Sequence, residues 1–397
     1  MEIKAKEYQP KLKMDEVDVY LPRGVKALDF HGENPRGFWR IFQRYEGARF
    51  FGLKEYLSAL ASLVGRKAAK EIIIYAVPEG YPLKRHETAI TIEGPARSLL
   101  VNETLLHYLS TGTRFRTLAA DYPGNKYPWV FMGARYLSRE DLAVCTRALA
   151  EEGILSTVPF WADKFIGTES HSQLVLWGAL RLDKKTERVI SEVTKDKKVA
   201  ATIRATLAFA KANPEVPLYV LGDLATRTVG CAKTFIATAK ACKKLGIPLL
   251  GGRMDISRYD LNNRPIVDAV FANGDIRKFA GMNPQIVTEV RHLLNQSGLK
   301  DFKLVVSSGI DLTEIEAYKE AGADIVGIGE QAAYYLNKGE CNFTADAVGF
   351  FNSERLIPFA KEGRELSRII DPKLLDPAKS GLKISDSLVR HDLSDYL

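Results

Sequence analysis

The first third of the chain shows the apolar spacing of both helices and strands. Apolar residues recur at helical spacing in LKEYLSALASL, residues 53–63, which predicts an amphipathic helix. Residues 71–83 and 87–95 have the pattern of strands that end in Pro/Gly turns. A long helix is predicted over residues 99–120, with Gly112 as the point where it is interrupted. The pattern is that of a mixed α+β domain.

After residue 120 the pattern changes to short apolar runs separated by helical segments. Eight runs have this character: YPWVFMGA, GILSTV, KFIGT, PLYVLGD, IPLLGGRMD, VDAVFA, FKLVVSSG and ADIVGIG. Strands that alternate with helices are typical of parallel βαβ units. The runs predict an α/β fold, an irregular (β/α) TIM-like barrel. A doubly wound parallel sheet is the structural alternative.

These patterns divide the chain into three regions. Residues 1–118 are predicted to form the N-terminal α+β domain, and residues 119–340 the α/β barrel catalytic domain. Residues 341–397 are rich in Lys, Asp and Ser and contain short apolar patches such as FFNSERLIPF. We expect this C-terminal segment to pack back on the N-terminal domain and to complete it; a segment that runs over the surface is the alternative.

The composition excludes several classes of protein. Of the 397 residues, 46% are hydrophobic and 26% are charged, which are globular values. No segment approaches the roughly 18 consecutive apolar residues of a membrane-spanning helix, and the polar N-terminus lacks the apolar core of a signal peptide. We therefore expect a cytoplasmic protein with no membrane partner. Cys145, Cys231, Cys242 and Cys341 match no metal-binding spacing, so reduced and buried thiols are expected.

The formal net charge of +7 favours acidic partners. The basic residues are spread along the chain and form no block of like charges, so a nucleic-acid-binding arm is not predicted. Phosphorylated small molecules are the simpler expectation. Residues 36–52, RGFWRIFQRYEGARFFG, mix arginines with aromatic residues, a pattern that could support nucleic-acid stacking. We interpret them instead as a helix and turn whose arginines lie near the phosphate site of a partner subunit.

The most specific local signal is KLVVSSGIDLTEIEAYKEAGADIVGIGE, residues 303–330. A buried strand ends in a Ser-Ser-Gly turn, and a helix begins at Asp311 with Glu314 at capping-box spacing. The loops after the last two strands of such barrels commonly bind phosphate through backbone N–H groups. The candidate phosphate-binding residues are Ser307, Ser308, Gly309, Gly327 and Gly329. The alternative to phosphate binding is that these glycines are ordinary turn residues of the βα loops.

The same segments resemble those of a known enzyme family. VVSSGID followed by VGIGE resembles the phosphate loop of the type II phosphoribosyltransferases, which act on nicotinate, nicotinamide and quinolinate. YAVPEGYPLKRHETAITIEGP and NETLLHYLSTGTRFRTLAA resemble the first domain of the nicotinate and nicotinamide enzymes. GARYLS resembles their GxR segment, STVPFWADKFIGTESHSQ their GTxxH region, YVLGD and GGRMD two acidic strand ends, and VDVYL their TDxY segment. The matches follow the family's order along most of the chain, so the resemblance implies the family's fold and activity.

Two segments depart from the family's pattern. GDLAT keeps Asp223 but has Thr226 where a second acidic residue is usual. RMDISRYD keeps Arg253 and Asp255 but differs in the loop beyond them. A non-catalytic relative that binds a phosphoribosyl ligand without turnover is therefore one alternative.

The implied reaction joins a pyridine ring nitrogen to phosphoribosyl pyrophosphate, forming nicotinate mononucleotide and pyrophosphate. Its transition state is oxocarbenium-like, so positioning and electrostatics supply the rate. Asp223 and Asp255 follow predicted strands and are expected to face the catalytic mouth. We expect both to act in catalysis and either to hold Mg²⁺, directly or through water, or to hydrogen-bond the ribose hydroxyls. A helix cap, or an ion pair with a neighbouring arginine, is the alternative for each carboxylate.

The remaining substrate contacts also follow from the resemblance. It implies that Tyr20 stacks on the pyridine ring, reaching the active site of the other subunit in a homodimer. Arg135 would bind the carboxylate of nicotinate, with Ser156 and Thr157 donating hydrogen bonds to it. Thr168 and Arg253 complete the implied substrate-binding set (Arg253 in the segment described above).

His171 ends the segment GTESH. In the nicotinate and nicotinamide enzymes the histidine of this motif is phosphorylated by ATP. The resemblance therefore implies that ATP is a co-substrate and that His171 is a catalytic nucleophile. A structural histidine is the alternative. The implied role is pyridine nucleotide salvage for NAD biosynthesis, by a homodimer or a higher oligomer of dimers.

Other enzymes remain as alternatives. Nicotinamide phosphoribosyltransferase is one, because AVPEGYPLKR and RFFGLKEYL also resemble that branch. A quinolinate enzyme would need a denser basic cluster for its two carboxylates. An aldolase-type barrel would need a Schiff-base lysine at the end of a strand, and Lys164 precedes its apolar run instead of following it.

Overall fold

A computed structural model describes most of the chain. The described residues are 13, 16–158, 171–271, 280–334, 341–353, 355–361 and 388–397. They form an antiparallel six-stranded sheet, a parallel six-stranded sheet and a small two-stranded sheet, with helices packed against the larger two.

The helices and strands are numbered in chain order. The α-helices are α1 Tyr20–Phe30, α2 Leu53–Ala69, α3 Ala96–Leu99, α4 Leu106–Asp121, α5 Arg139–Ala150, α6 His171–Leu176, α7 Lys184–Val193, α8 Lys197–Ala212, α9 Cys231–Leu245, α10 Pro284–Gln296, α11 Ile315–Glu320 and α12 Glu330–Tyr334. The strands are β1 Arg36–Gln43, β2 Ala48–Arg49, β3 Ile73–Ala76, β4 Pro82–Leu83, β5 Thr88–Pro95, β6 Trp129–Phe131, β7 Leu155–Ser156, β8 Tyr219–Leu221, β9 Gly251–Asp255, β10 Lys303–Ser307, β11 Ile325–Ile328, β12 Phe343–Asn352, β13 Arg355–Pro358 and β14 Val389–Asp392. Short 3₁₀ helices lie at Leu100–Leu105, Ala269–Phe271, Leu312–Glu314 and Leu393–Tyr396.

The antiparallel sheet joins the two ends of the chain. Its strand order is β13-β12-β1-β5-β3-β14, so β1 lies between β12 and β5. Gln43 of β1 pairs with Phe343 of β12, and Arg36 of β1 pairs with Pro95 of β5. The helix predicted within residues 36–52 is therefore wrong. This segment begins with a strand whose side chains are buried almost throughout, because β1 has a paired neighbour on each side.

Helices α2 and α4 cover this sheet with apolar side chains. Tyr56, Leu57 and Leu60 of α2 are fully buried in the core. Helix α4 runs through Gly112 without a break, so the predicted interruption is wrong. A Cβ atom at Gly112 would lie 2.9 Å from the backbone of Gly52, so the glycine permits a close approach of two segments. The irregular turn lies earlier, in the 3₁₀ helix before α4.

The second sheet is parallel throughout. Its order is β7-β6-β11-β10-β9-β8, and apolar side chains of helices α5, α9, α10 and α11 share a hydrophobic core with its strands. The core there includes Phe131, Phe235, Met254, Ile286 and Val306. The predicted α/β class is confirmed. The described strands do not close into a barrel, since β7 and β8 each have only one paired neighbour among them.

Six of the eight predicted strand runs form strands of this sheet. VDAVFA is an exception, and its prediction as a strand is wrong. Its residues Ala269–Phe271 form a 3₁₀ helix, because the buried carboxylate of Asp268 accepts the backbone N–H of Val270 and bends the run. KFIGT, residues 164–168, lies outside the described residues.

A partly buried ionic cluster connects helix α5 to the N-terminal elements. Arg147 of α5 donates to Glu55 of α2 (Nε to Oε1, 2.7 Å) and to Glu79 (Nη2 to Oε1, 2.7 Å). Its guanidinium lies 4.0 Å from the ring centre of Phe51. Burial alone would lower the pKa of Arg147, but the hydrogen bonds that it donates to the two carboxylates raise it. The cluster fixes α5, and the parallel sheet packed on it, against the N-terminal elements.

Two simpler expectations concern thiols and membrane segments. All four cysteines are buried free thiols, as predicted. Among the described helices, none is both long enough and apolar enough to cross a membrane. The bounds of the three predicted regions and the cytoplasmic location remain predictions.

Candidate active site

The carboxyl ends of the parallel strands bring several predicted site residues to one edge of the sheet. Leu221 of β8 pairs with Arg253 of β9, and Asp223 follows two residues beyond that pair. Asp255 at the end of β9 pairs with Ser307 at the end of β10. Three neighbouring strands therefore place Asp223, Asp255 and Ser307 along the edge where open α/β sheets bind ligands.

Asp223 and Asp255 line one pocket of 320 Å³. Lys198 and Arg227 line the same pocket, so it presents two carboxylates and two cations. The sequence analysis missed both cations. Arg227 could have been found, since it lies in the loop after a predicted strand, four residues beyond Asp223. Lys198 gave no such signal, because it lies in helix α8 and only the fold brings it to the strand ends.

Thr226 occupies the position where the resemblance leads one to expect an acidic residue. It is buried, and its Oγ1 donates to the carbonyl oxygen of Asp223 at 2.6 Å. The hydroxyl therefore closes the turn after β8. The carboxylates of the pocket remain Asp223 and Asp255.

Arg253 lies beside Asp255 with weak contacts. Its Nη2 is 3.6 Å from Oδ2 of Asp255, and its Nη1 is 3.9 Å from the sulfur of Met132. Its Nε is buried and has no hydrogen-bond partner within the described residues. Buried donors are normally satisfied. The guanidinium is therefore suited to receive oxygens from an anionic ligand, even though it also forms the long ion pair with Asp255.

The turn after β10 has an uncommon backbone conformation. Ser308 has a φ of +97°, which is rare for a residue other than glycine, and Gly309 follows at +65°. The hydroxyl of the buried Ser307 donates to the carbonyl oxygen of Met254 at 3.2 Å. The backbone N–H groups of Ser308 and Gly309 donate to no acceptor in the part of the chain that the structure describes. Successive open N–H groups in such a turn suit an anion.

The helical turn that follows is closed by its own side chains. Asp311 Oδ1 accepts the N–H of Thr313 at 2.9 Å, and Glu314 Oε2 accepts the N–H of Asp311 at 2.9 Å. The predicted capping box is confirmed. Since these N–H groups already have acceptors, the open donors of this region are those of the Ser308–Gly309 turn.

Packing accounts for the two glycines of β11 and its loop. A Cβ atom at Gly327 would lie 2.8 Å from the sulfur of Met132 and 3.0 Å from Cβ of Ser307. One at Gly329 would lie 3.1 Å from the carbonyl oxygen of Met132. The missing side chains let β11 approach the loop after β6 and keep space beside Ser307. Phosphate contact by Gly327 and Gly329 remains a prediction.

Strands β6 and β7 continue the edge on its other side. Ser156 pairs with Phe131, is buried, and accepts a backbone N–H two residues on at 3.0 Å. The N–H of Thr157 donates to the carbonyl of Phe131 at 3.1 Å. Arg135 is exposed in the turn after β6, with its guanidinium 5.9 Å from the ring centre of Tyr136. Ser156 thus has a local partner, whereas Arg135 faces solvent.

Tyr20 lies apart from this edge within the chain. It begins helix α1, is 56% exposed, and its hydroxyl is 3.3 Å from Oε2 of Glu103. Its predicted place in the site of a partner subunit remains a prediction.

The described part of the chain covers the GTESH segment only at its last residue. His171 begins helix α6, whose Leu174 packs in a cluster with Leu221, the last residue of β8. This helix therefore lies against the carboxyl end of β8. Thr168 and the side chain of His171 lie outside the described residues.

The loops after β8 and β9 are tied together at the rim of the pocket. Arg227 Nη1 donates to Asp260 Oδ2 at 3.0 Å, and its Nη2 donates to the carbonyl oxygen of Pro265 at 3.0 Å. Asp260 also accepts the backbone N–H of Arg264 at 2.9 Å. These bonds, the one from the Arg264 backbone foremost, hold the pKa of Asp260 well below its usual range. The loop that departs from the family's pattern is therefore an internally bonded structure.

Solved structures share this architecture. The chain is similar to a nicotinate-nucleotide pyrophosphorylase from Pyrococcus furiosus, at 21% identity and a TM-score of 0.58 over 88% of this chain and 77% of that chain. It is also similar to human nicotinic acid phosphoribosyltransferase, at 18% identity and a TM-score of 0.60 over 85% of this chain and 75% of that chain. The chain has the fold of these two enzymes. No protein-family model and no curated protein sequence matches it.

The likeness predicted from the sequence motifs is thus confirmed at the level of the fold. Both neighbours carry names that refer to nicotinate or its nucleotide. A shared fold supports many activities, so the chemistry has to be argued from the residues at the carboxyl edge.

The donor set fits a magnesium ion that arrives with substrate. Within the described residues, no three His, Cys, Asp or Glu side chains cluster closely enough to hold a metal by themselves. Mg²⁺ is usually bound by one or two carboxylates together with substrate phosphates. Asp223 and Asp255 match that requirement.

A larger cavity of 610 Å³ lies at the opposite, amino end of the strands. It is bordered by the start of α7 and the ends of α8 and α9, and Leu207, Val216, Leu245 and Ile247 are among its lining residues. None of the predicted site residues lines it. The smaller pocket is therefore the candidate active site, because it collects the ionisable groups.

Proposed function

We propose that the protein is a nicotinate phosphoribosyltransferase of NAD salvage, which forms nicotinate mononucleotide and pyrophosphate from nicotinate and phosphoribosyl pyrophosphate. The observation that supports this most is the pairing of Asp223 and Asp255 in one pocket, beside the Ser307–Gly309 turn, at the carboxyl edge of the sheet. That arrangement offers an anion site and a carboxylate site at neighbouring strand ends. Phosphoribosyl pyrophosphate carries an anionic group at each end of its ribose. Its binding would therefore use both the anion site and the carboxylate site.

The 5′-phosphate would bind at the turn after β10. The open N–H groups of Ser308 and Gly309 point to an anion there, and their positive φ values hold both N–H groups in a turn. Gly327 and Gly329 keep the neighbouring space free of side chains. The guanidinium of Arg253 lies beside Asp255 and would bind substrate oxygens.

The leaving pyrophosphate would lie in the 320 Å³ pocket. Lys198 and Arg227 provide positive charge for its oxygens, and Asp223 and Asp255 provide ligands for Mg²⁺, directly or through water. When bound, Mg²⁺ would neutralise the charge that develops on the leaving pyrophosphate. The carboxylates would also face the positive charge of the oxocarbenium-like ribose, which is where preorganised negative groups lower the barrier.

The pyridine ring would bind near the ends of β6 and β7. Arg135 faces solvent there and can form a bidentate contact with the carboxylate of nicotinate. Thr157 lies at the adjacent strand end, and Ser156 beside it. Tyr20 lies apart from this edge, so a stacking role requires a homodimer in which the partner supplies it.

ATP coupling would act through His171. Its helix packs against the end of β8, which supports a place near the pocket, and Thr168 belongs to the same motif. Phosphorylation of an imidazole beside the pyrophosphate site would couple ATP hydrolysis to synthesis. We place this activity in the cytoplasm, with no nucleic acid among the substrates.

The test is the reaction itself. The purified protein is incubated with phosphoribosyl pyrophosphate, Mg²⁺ and either nicotinate or nicotinamide, with and without ATP, and mononucleotide is followed by mass spectrometry. The proposal expects product from nicotinate, increased by ATP. Product from nicotinamide alone would reassign the protein to the nicotinamide enzymes and remove the carboxylate role of Arg135. No product from either base would contradict the proposal.

A further inference from the structure

The loops after β8 and β9 meet over a buried carboxylate that the proposed reaction does not use. Asp268 is fully buried. Its Oδ2 accepts the backbone N–H of Cys231 at 2.8 Å, and its Oδ1 accepts the N–H of Val270 at 3.0 Å. A carboxylate is costly to bury unless its oxygens are hydrogen-bonded. Both oxygens of Asp268 have backbone donors, one at the start of α9 and one in the loop after β9.

Asp268 supplies a helix cap that α9 lacks in its own sequence. The residue before α9 is Gly230, which has no side-chain oxygen to accept the first N–H groups of the helix. The carboxylate of Asp268 takes that place at the positive end of the helix dipole. Gly230 has a φ of +89°, and a Cβ atom there would lie 2.4 Å from Oδ1 of Asp268. The glycine therefore makes room for a carboxylate that comes from the other loop.

The same contact orients the lining of the candidate active site. The turn between β8 and α9 begins with Asp223 and includes Thr226 and Arg227, all of which line the pocket. The N–H of Ala269 donates to the carbonyl of Thr226 at 2.8 Å. The loop after β9 thus holds this turn at its middle through Ala269 and at its end through Asp268.

We propose that Asp268 is a positioning residue that holds the turn after β8, so that Asp223 and Asp255 face the same ligand. Asp268 does not line the pocket, and it acts through the backbone of the turn. The expected ligand rests on the proposed function, but the positioning itself does not. Some groups orient a metal-binding residue without contacting the metal themselves. Their removal typically lowers affinity or activity about 10- to 100-fold.

The test compares two buried or partly buried carboxylates at opposite ends of the sheet. Asp268→Asn keeps the size of the side chain but turns an amide NH₂ toward a backbone N–H, so one of the two bonds is lost. Asp324→Asn is the matched control. Asp324 accepts the N–H of Leu304 at 2.8 Å and lies at the amino end of the strands, away from the pocket. Asp268→Ser is a second variant, whose hydroxyl can still accept one N–H.

Three quantities are measured for each variant: hydrogen–deuterium exchange of residues 222–231, the KM values for phosphoribosyl pyrophosphate and for the pyridine base, and the urea midpoint of unfolding. Asp268→Asn and Asp268→Ser are expected to speed exchange in residues 222–231. They are also expected to raise KM for phosphoribosyl pyrophosphate about tenfold or more, with KM for the base unchanged. Asp324→Asn is expected to lower the urea midpoint while leaving exchange in residues 222–231 and both KM values unchanged.

Two results would overturn the proposal. One is unchanged exchange in residues 222–231 in a folded Asp268 variant. The other is an equal rise of both KM values in the Asp268 and Asp324 variants, because that would reflect general destabilisation. If the wild-type protein forms no mononucleotide, the proposed function fails on its own. The exchange measurement then still decides whether Asp268 holds the turn.

Discussion

The two ends of the parallel sheet use the same types of side chain, aspartate and arginine, in different ways. At the amino end, Asp324 accepts the backbone N–H of Leu304 at 2.8 Å and Nη2 of Arg291 at 2.6 Å. At the carboxyl end, Asp255 is 3.6 Å from Arg253 and lines a pocket. One carboxylate is held within the protein, and the other faces a space large enough for a ligand.

The two arginines differ in the same way. Arg291 donates to the carbonyl oxygens of Phe302 and Gly322 as well as to Asp324. Arg253 has a buried Nε with no hydrogen-bond partner within the described residues. Charged groups whose hydrogen bonds are all satisfied within the protein stabilise the fold. Charged groups beside a pocket that keep unsatisfied donors or acceptors are suited to bind a ligand. This contrast separates structural from functional charges in one sheet.

The largest expected effect is the loss of catalysis in Asp255→Asn. The variant removes a negative group from the place where the ribose becomes positive, and such losses typically reduce kcat about 100- to 1000-fold. Initial rates of mononucleotide formation measure it. The control is Asp324→Asn, which is expected to keep the wild-type rate at a temperature where it is folded. Equal losses of rate in the two variants would remove the distinction between the two ends.

A large effect on stability is expected at the amino end of the parallel sheet. Arg291→Leu removes the hydrogen bonds that Arg291 donates to two carbonyl oxygens and to the Asp324 carboxylate, so we expect a loss of about 3 kcal/mol in the free energy of unfolding. Urea denaturation measures this loss. Arg253→Leu is the matched variant, and it is expected to change the free energy of unfolding by less than about 1 kcal/mol, because few bonds are removed. A greater loss in Arg253→Leu than in Arg291→Leu would contradict the comparison.

A smaller effect is expected when residue 253 keeps its positive charge but loses the planar guanidinium group. Arg253→Lys replaces a planar fork of donors by a point charge, which cannot form bidentate contacts with phosphate or carboxylate oxygens. We expect KM for phosphoribosyl pyrophosphate to rise about tenfold, with an unchanged urea midpoint. Steady-state kinetics measure the change, and an unaltered KM would show that Arg253 does not bind this substrate.

The smallest expected effect is a gain in stability from Ser308→Gly. A φ of +97° costs a serine about 1 kcal/mol or more, and glycine adopts it freely. The thermal midpoint is expected to rise slightly in this variant. Ser297→Gly is the control, since Ser297 has a φ of −84° and gains nothing from glycine. A lower thermal midpoint in Ser308→Gly would show that the serine side chain stabilises the fold by more than its positive φ destabilises it.

Much of the parallel sheet could be predicted from local pattern. Short apolar runs separated by helical segments predicted six of its strands, because buried parallel strands need continuous apolar sequence. One exception arises from a local contact, and the other arises from a contact distant in sequence. VDAVFA bends around the carboxylate of Asp268, and residues 36–43 form a central strand because β12 from the far end of the chain pairs with them. The partner strand of residues 36–43 lies outside that segment, whereas Asp268 lies within VDAVFA itself.

The same limit applies to the candidate site. Asp223, Asp255 and Ser307 could be found from the sequence, because acidic and hydroxyl residues at strand ends mark the carboxyl edge. Lys198 and Asp268 could not. Lys198 lines the pocket from a helix, and Asp268 holds the turn after β8 from a distant loop, so only the folded chain brings them together. Whether Tyr20 and His171 reach the site remains a prediction.

The proposed function requires that the substrate binds at the carboxyl end of the sheet and not in the larger cavity at the amino end. The most direct measurement is a crystal structure of the protein grown with Mn²⁺ and phosphoribosyl pyrophosphate, with the metal located by its anomalous signal. The account predicts a metal peak in the 320 Å³ pocket beside Asp223 and Asp255, with the 5′-phosphate on the Ser308–Gly309 turn. A ligand bound in the 610 Å³ cavity, with the carboxyl edge empty, would contradict it.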